Sequence, residues 1–244
     1  MPLGIKPSLR ELKVEPFIQN LDKVFNHLNA LGWSEVNTRS SKDGEWSMLS
    51  LRGYSNDPRK CGKPAEECSP RIQEGDITFT GPNVALNKDF VKDKIYGGYE
   101  FEVEYLHEGG ELQDCSIRNG DIFKIIEDIL DPLPCEFQRI RFAKLKSGAG
   151  LEPHTDAIDQ SLGLNDGCIA RIAVPLQTNP DATFSVWPQG YPEGAERKLH
   201  LKLGHYYYTD VQGWHCVNNT GDTDRIHLLI DCISNKELRR LILQ

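Results

Sequence analysis

Residues 198–203 read Lys198-Leu199-His200-Leu201-Lys202-Leu203, a strict alternation of polar and apolar side chains. A period of two belongs to a strand with one face buried and the other in water. The strand-like piece runs on to Thr209, and other strand-like pieces recur around it. They are 136–146 (EFQRIRFAKLK), 168–177 (CIARIAVPLQ), 183–187 (TFSVW), 214–218 (WHCVN) and 224–233 (DRIHLLIDCI). Turns rich in Gly, Asn, Asp and Pro separate them. Many short strands in succession predict a sandwich or barrel.

Toward the N-terminus the pattern changes. Over 16–31, Phe17, Leu21, Val24, Leu28 and Leu31 form one helical stripe, with Pro16 in the first turn and Gly32 at the stop. Residues 45–52 read as a strand and 55–75 as a long polar loop. Residues 120–130 (GDIFKIIEDIL) read as a helix capped by Asn119 and ended by Asp131, Pro132 and Pro134. A short helix from Lys236 to Leu243 closes the chain. The prediction is a mainly β protein, α+β overall, with 1–244 as a single domain. Its N-terminal helices, substrate-side strands and loops lie in 1–135, its β core in 136–233 and its last helix in 234–244.

The 244 residues carry 28 basic and 36 acidic side chains, a net charge of −8. An acidic chain repels phosphate backbones, which argues against nucleic acid as a partner. No run approaches the roughly 20 apolar residues of a membrane span, so no membrane partner is expected. The first fifteen residues mix Lys6, Arg10, Glu11, Lys13 and Glu15 and have no apolar core, unlike a signal peptide. Seven cysteines without a Cys-x-x-Cys pair read as reduced thiols in a cytoplasmic setting. Cys61 and Cys68 have no second ligand pair nearby, which disfavours a zinc clasp.

The chemistry concentrates in three places. In extended chain, His154 and Asp156 of Pro153-His154-Thr155-Asp156 point to one side. His215 follows Trp214 in a later strand, and residues 218–224 are a turn signal. That turn joins strand 214–217 to strand 225–233 as a hairpin, so His215 and Arg225 should fall opposite or nearly opposite each other and share a neighbourhood. Two histidines and one carboxylate with open positions are the facial triad of non-haem Fe(II) oxygenases. An arginine behind such a metal offers a planar fork for a carboxylate.

The combination resembles the aspartyl/asparaginyl beta-hydroxylase family, Fe(II)/2-oxoglutarate-dependent dioxygenases built on a double-stranded β-helix (jelly-roll) core. Proline hydroxylases acting on the free amino acid show a similar pattern. The resemblance covers about residues 137–233. It rests on Arg141-Phe142-Ala143-Lys144-Leu145, Gly148 through Asp156, Arg171 through Leu176, Gly204 through Asn218, and Arg225-Ile226-His227-Leu228. Upstream, Trp46 and Ser50-Leu51-Arg52-Gly53-Tyr54 are similar to a bacterial subgroup.

The resemblance implies that His154, Asp156 and His215 bind Fe(II) and that 2-oxoglutarate and O2 are cosubstrates. Arg225 would pair with the C5 carboxylate of 2-oxoglutarate, and Arg171 would help hold its metal-side carboxylate. The substrate would be a small-molecule or peptidyl amino acid, hydroxylated at an unactivated C–H bond. Arg52 and Arg118 are candidates to hold a substrate carboxylate, with plain surface arginine as the other reading. The segments 55–75 and 81–100, with Gly97-Gly98-Tyr99, are candidates to cover the barrel mouth.

Two departures stand out: Ala173 replaces the histidine of a frequent Arg-x-His, and Ala143 replaces an expected serine. His227 reads either as a hydrogen-bonded core histidine or as a residue facing the cosubstrate. Tyr206, Tyr207, Tyr208, Trp187 and Trp214 read as barrel packing, and His107, His200 and His205 are not expected to be ligands. Two alternatives keep the fold: a free amino acid (proline-type) hydroxylase, and a non-enzymatic cupin-like binding module. The latter lacks an arginine ten residues past the distal histidine.

Overall fold

The computed structural model describes residues 8–35, 44–53, 56–61, 70–73, 76–79, 84–86, 103–105, 113–115, 122–156 and 163–244. In chain order the elements are β1 (Leu9–Glu11), α1 (Leu21–Leu31), β2 (Ser34–Glu35), β3 (Trp46–Gly53), α2 (Pro58–Cys61), β4 (Pro70–Gln73), β5 (Asp76–Phe79), β6 (Val84–Leu86) and β7 (Val103–Tyr105). They continue with β8 (Gln113–Asp114), α3 (Phe123–Leu130), β9 (Phe137–Leu145), β10 (Gly150–His154), β11 (Ile169–Gln177), β12 (Ala182–Val186) and β13 (Arg197–Leu199). The last are β14 (Tyr207–Thr209), β15 (His215–Asn219), β16 (Arg225–Ile233) and α4 (Lys236–Leu243).

Strands β9 to β16 form one long antiparallel ribbon folded at the β12–β13 turn. β12 pairs with β13, β11 with β14, β10 with β15 and β9 with β16. Rolled up, the ribbon sends successive pairs into two sheets. One runs β1-β14-β11-β16-β9-β3-β2 with β8 beside β3, and the other runs β10-β15-β12-β13. This is the double-stranded β-helix, or jelly roll, with flanking helices.

The alternation of side chains sorts the two faces of the larger sheet. Met48, Ala143, Leu145 and Tyr207 meet Leu151, Phe184, Val186 and Val217 of the smaller sheet in the barrel interior. Their sequence neighbours, such as Leu49, Phe142, Ile172, Leu228 and Ile230, turn outward and pack on Val24, Leu28, Ile126, Ile129 and Leu238 of α1, α3 and α4. The helices therefore cover one face of the larger sheet and leave the interior to the site. Asn235 caps α4, accepting a hydrogen bond from Leu238 N at 2.8 Å.

Five sequence expectations need correction. The loop expected over 55–75 carries α2 (Pro58–Cys61) and β4 (Pro70–Gln73). The helix expected over 16–31 begins only at Leu21, because Phe17 N donates to Gly204 O at 3.0 Å and holds the preceding backbone against the sheet. The single strand expected over 198–209 is two, β13 and β14, separated by a turn at Gly204, whose φ is +74°. The expected hairpin between 214–217 and 225–233 does not form, since β15 and β16 lie in different sheets. Residues 220–224 cross between the sheets beside the similar crossing from β9 to β10. Asn219 Nδ2 ties the two crossings, donating to Lys146 O at 3.0 Å and Thr223 O at 2.9 Å. The helix expected over 120–130 begins at Phe123, and its expected cap Asn119 lies outside the described residues.

Gly204 shows how tightly the barrel is closed. A Cβ there would sit 2.3 Å from Phe17 O, at a φ that L residues avoid. Gly148 has a similar φ of +76° but open space around its Cβ position. Gly148→Ala should then lose only the left-handed penalty, about 1–2 kcal/mol. Gly204→Ala should lose clearly more in urea unfolding, and equal losses would mean that the 16–20 strap moves aside freely.

Candidate metal centre

His154 and His215 are cross-strand partners of β10 and β15 in the smaller sheet. Their rings lie 4.3 Å apart, centroid to centroid. Each has its Nδ1 on the backbone carbonyl two residues upstream: His154 on Glu152 O at 2.7 Å, His215 on Gly213 O at 2.9 Å. These bonds put the proton on Nδ1 and turn the Nε2 lone pair toward the interior. Burial pulls the His215 pKa down to about 4, partly countered by the Asp156 carboxylate, so the ring is neutral near pH 7.

Asp156 follows β10, its backbone N donating to Val211 O at 2.8 Å. Its Oδ1 lies 3.6 Å from His154 Nε2 and 3.9 Å from His215 Nε2. Burial pushes the carboxyl pKa up, but Arg171 first and then the two histidines pull it below its ordinary value. One donor atom from each of the three residues lies within 4.8 Å of the others. Two imidazoles and one carboxylate gathered from one side fit a non-haem iron and leave further positions open. His154 and Asp156 are half-buried and His215 is buried.

The facing sheet lines the same space with charge. Asp231 of β16 is wholly buried and stands opposite Arg171 of β11. Arg171 donates from Nε to Asp231 Oδ1 at 2.8 Å and from Nη1 to Asp156 Oδ2. Arg141 Nη2 donates to Asp231 Oδ2 at 2.9 Å, and Arg139 Nε lies 3.4 Å from the same oxygen. Burial alone would raise the Asp231 pKa, but Arg171, Arg141 and Arg139 hold it well below the usual carboxylate range.

Deeper along β16, the interior positions Leu229 and His227 stand opposite Ala173 and Pro175 of β11. His227 also faces Ala143 of β9, so both departures from the expected pattern are small residues beside the interior positions of β16. At its end lies Arg225, opposite Leu145 and 4% exposed. Burial pulls its pKa down to about 9, and no carboxylate among the described residues pairs with it. Its partner is His227, whose Nδ1 accepts from Arg225 Nη2 at 2.8 Å. Ser50 stands opposite Arg141 with a buried hydroxyl that has no hydrogen-bond partner among the described residues.

The sequence therefore named His154, Asp156, His215, Arg171 and Arg225, and all five line the interior. Arg52 is elsewhere. It stands opposite the outward-facing Ile140 and donates to Asp114 Oδ1 at 3.1 Å and Phe137 O at 3.2 Å. Arg118, His107, Cys68, the segment 81–83 and residues 87–100 with Gly97-Gly98-Tyr99 lie outside the described residues. His200 is bound to Ala182 O and His205 to Glu11, away from the triad. Tyr206, Tyr207 and Tyr208 are buried as expected. Trp214 is not: it is 36% exposed and packs with Tyr191, which also meets Trp187. Sequence reasoning missed Asp231 and Ser50. A lone acid inside the apolar run Leu228–Ile233 was the available signal for the first.

Among the described residues no helix is long and apolar enough to cross a membrane. No curated protein matches the chain. Among solved structures it is similar to an oxidoreductase of the 2OG-Fe(II) oxygenase family from Burkholderia pseudomallei, at 10% identity and TM-score 0.41, over 88% of this chain and 81% of that one. It is also similar to a non-heme monooxygenase, ThoJ, in complex with Ni, at 22% identity and TM-score 0.34, over 45% of this chain. It spans 49% of the length of that monooxygenase. A cupin domain from Bordetella pertussis Tohama I matches at 19% identity and TM-score 0.27, over 38% of this chain and 79% of that one. The sequence profile described as aspartyl/asparaginyl beta-hydroxylase matches residues 103–235, starting upstream of the strands that carried the resemblance. With more than half of its length matched, the chain belongs to the aspartyl/asparaginyl beta-hydroxylase family.

Proposed function

We propose that the chain is an Fe(II)- and 2-oxoglutarate-dependent dioxygenase that hydroxylates an unactivated C–H bond of an amino acid, free or within a peptide. The observation that carries this reading is a donor set of His154, Asp156 and His215 sharing one barrel with a buried Arg225 that lacks a carboxylate partner among the described residues. Fe(II), 2-oxoglutarate and O2, when bound, supply the oxidising power that no side chain has.

The chain's own residues bind and orient. His154 and His215 present Nε2, each fixed by its Nδ1 bond to a backbone carbonyl. Asp156 presents Oδ1, while Oδ2 is engaged by Arg171. Arg225 offers its fork to the far carboxylate of the cosubstrate, and the His227 ring braces it through Nδ1. Ala143 and Ala173 put small side chains on the strands between these two ends. Arg171 adds positive charge beside the metal-side end. The apolar walls Leu151, Phe184, Val217 and Leu229 exclude water. No side chain need act as a general base.

The test is Fe(II)-dependent conversion of 2-oxoglutarate to succinate, measured with free aspartate, asparagine and proline and with peptides containing them. The reading expects stimulation by one of these classes. A protein that binds metal but neither binds nor turns over 2-oxoglutarate is the cupin-like module instead.

A further inference from the structure

Asp231 is an expensive residue where it sits. A carboxylate wholly buried in a core strand loses its hydration, and an apolar side chain often packs there at least as well. What Asp231 does that an apolar residue does not is hold a guanidinium flat. Arg171 meets it edge-on, through Nε at 2.8 Å and Nη2 at 3.4 Å. This two-point contact fixes the plane of the fork. The remaining corner, Nη1, donates to Oδ2 of Asp156. Arg141 Nη2, at 2.9 Å, braces Asp231 from the neighbouring strand.

The consequence falls on Asp156. With Oδ2 occupied by Arg171, only Oδ1 is turned toward the Nε2 atoms of His154 and His215. The aspartate side chain has its own freedom, since it stands after the last residue of β10 and is half-buried. We infer that Asp231 and Arg171 are positioning residues that aim a single oxygen of Asp156 at the metal and keep its other oxygen from competing. Arg171 then acts through Asp156 as well as through its charge. The inference rests on the reading of His154, Asp156 and His215 as a metal centre.

A double-mutant cycle tests it. Anaerobic Fe(II) and Co(II) titrations are made of the wild type, Asp231→Asn, Asp156→Ala and the double variant, with circular dichroism to establish folding. Loss of an outer partner lowers metal affinity roughly 10–100-fold. Asp231→Asn should show a loss of that size with Asp156 present and almost none in the Asp156→Ala background, because the effect passes through Asp156. Equal losses in both backgrounds, or no loss in either, overturn the relay. If Asp231→Asn does not fold, Arg171→Lys decides the matter. Its single ammonium cannot span both carboxylates, so a loss of about tenfold that disappears with Asp156→Ala supports the relay, and any other pattern overturns it. A wild type that binds neither metal removes the metal centre itself and the relay with it. A wild type that binds while both variants match it removes the relay alone.

Discussion

Replacing His215 by alanine is expected to lower Fe(II) affinity at least a hundredfold and to abolish succinate formation, with the protein still folded. Losing an outer partner of a metal ligand already weakens binding roughly 10–100-fold, and losing a ligand removes a bond as well. The two remaining donors, His154 and Asp156, are only half-buried, so they alone would hold an ion less shielded from water. The structural loss is smaller. The His215 ring stacks on Phe184 at 5.7 Å and donates to Gly213 O, and removing both is worth on the order of 1–3 kcal/mol. Metal titration and circular dichroism on one preparation separate the two effects. Retained metal affinity would show that His215 is an ordinary core histidine.

Arg225→Ala is expected to weaken 2-oxoglutarate binding a hundredfold or more while leaving Fe(II) affinity nearly unchanged. The guanidinium is shielded from water, and burial alone holds its pKa below the ordinary value. A bound carboxylate would supply the missing partner, and losing one side of such a buried pair is worth on the order of 3–5 kcal/mol. That is a hundredfold or more in affinity. Arg225→Lys should recover only part, because it lacks the planar fork and cannot donate to His227 in the same way. Titration of the Fe(II)-loaded protein with 2-oxoglutarate under argon measures this. Unchanged affinity for Arg225→Ala would move the carboxylate anchor to another residue, with Arg171 and Arg141 next in line.

What the sequence made legible was local. The spacing of His154 and Asp156 and the alternation within β9, β11, β12, β15 and β16 follow from neighbours in the chain, and these strands lie within a residue or two of their predicted bounds. Which sheet a strand joins is not local. The turn signal at 218–224 marks a reversal equally well for a hairpin and for a crossing between sheets. Arg225 is in the interior, but not through the expected hairpin. It lines the same barrel as His215 from the opposite sheet.

The edge strands β1 and β2, at 3 and 2 residues, are too short to show a period. By its type alone Arg52 is either a candidate substrate contact or a plain surface arginine. The register that pairs it with Ile140 and turns it to the helix side is set by an irregularity after Ser50 that no periodicity reveals. Asp231 was visible as a charge inside an apolar run, but its partners come from β9 and β11 and depend on strand order.

In the proposed function one metal and one 2-oxo acid meet at His154, Asp156 and His215, with the acid's far end on Arg225. The direct measurement is anaerobic addition of Fe(II) and then 2-oxoglutarate, followed in the visible spectrum. A 2-oxo acid chelated to Fe(II) gives a weak metal-to-ligand charge-transfer band that neither component gives alone. The account predicts that the wild type develops this band at low 2-oxoglutarate concentration. It predicts that Arg225→Ala needs a hundredfold more or greater and that His215→Ala never shows it. No band in the wild type, or an unchanged band in His215→Ala, would contradict the account.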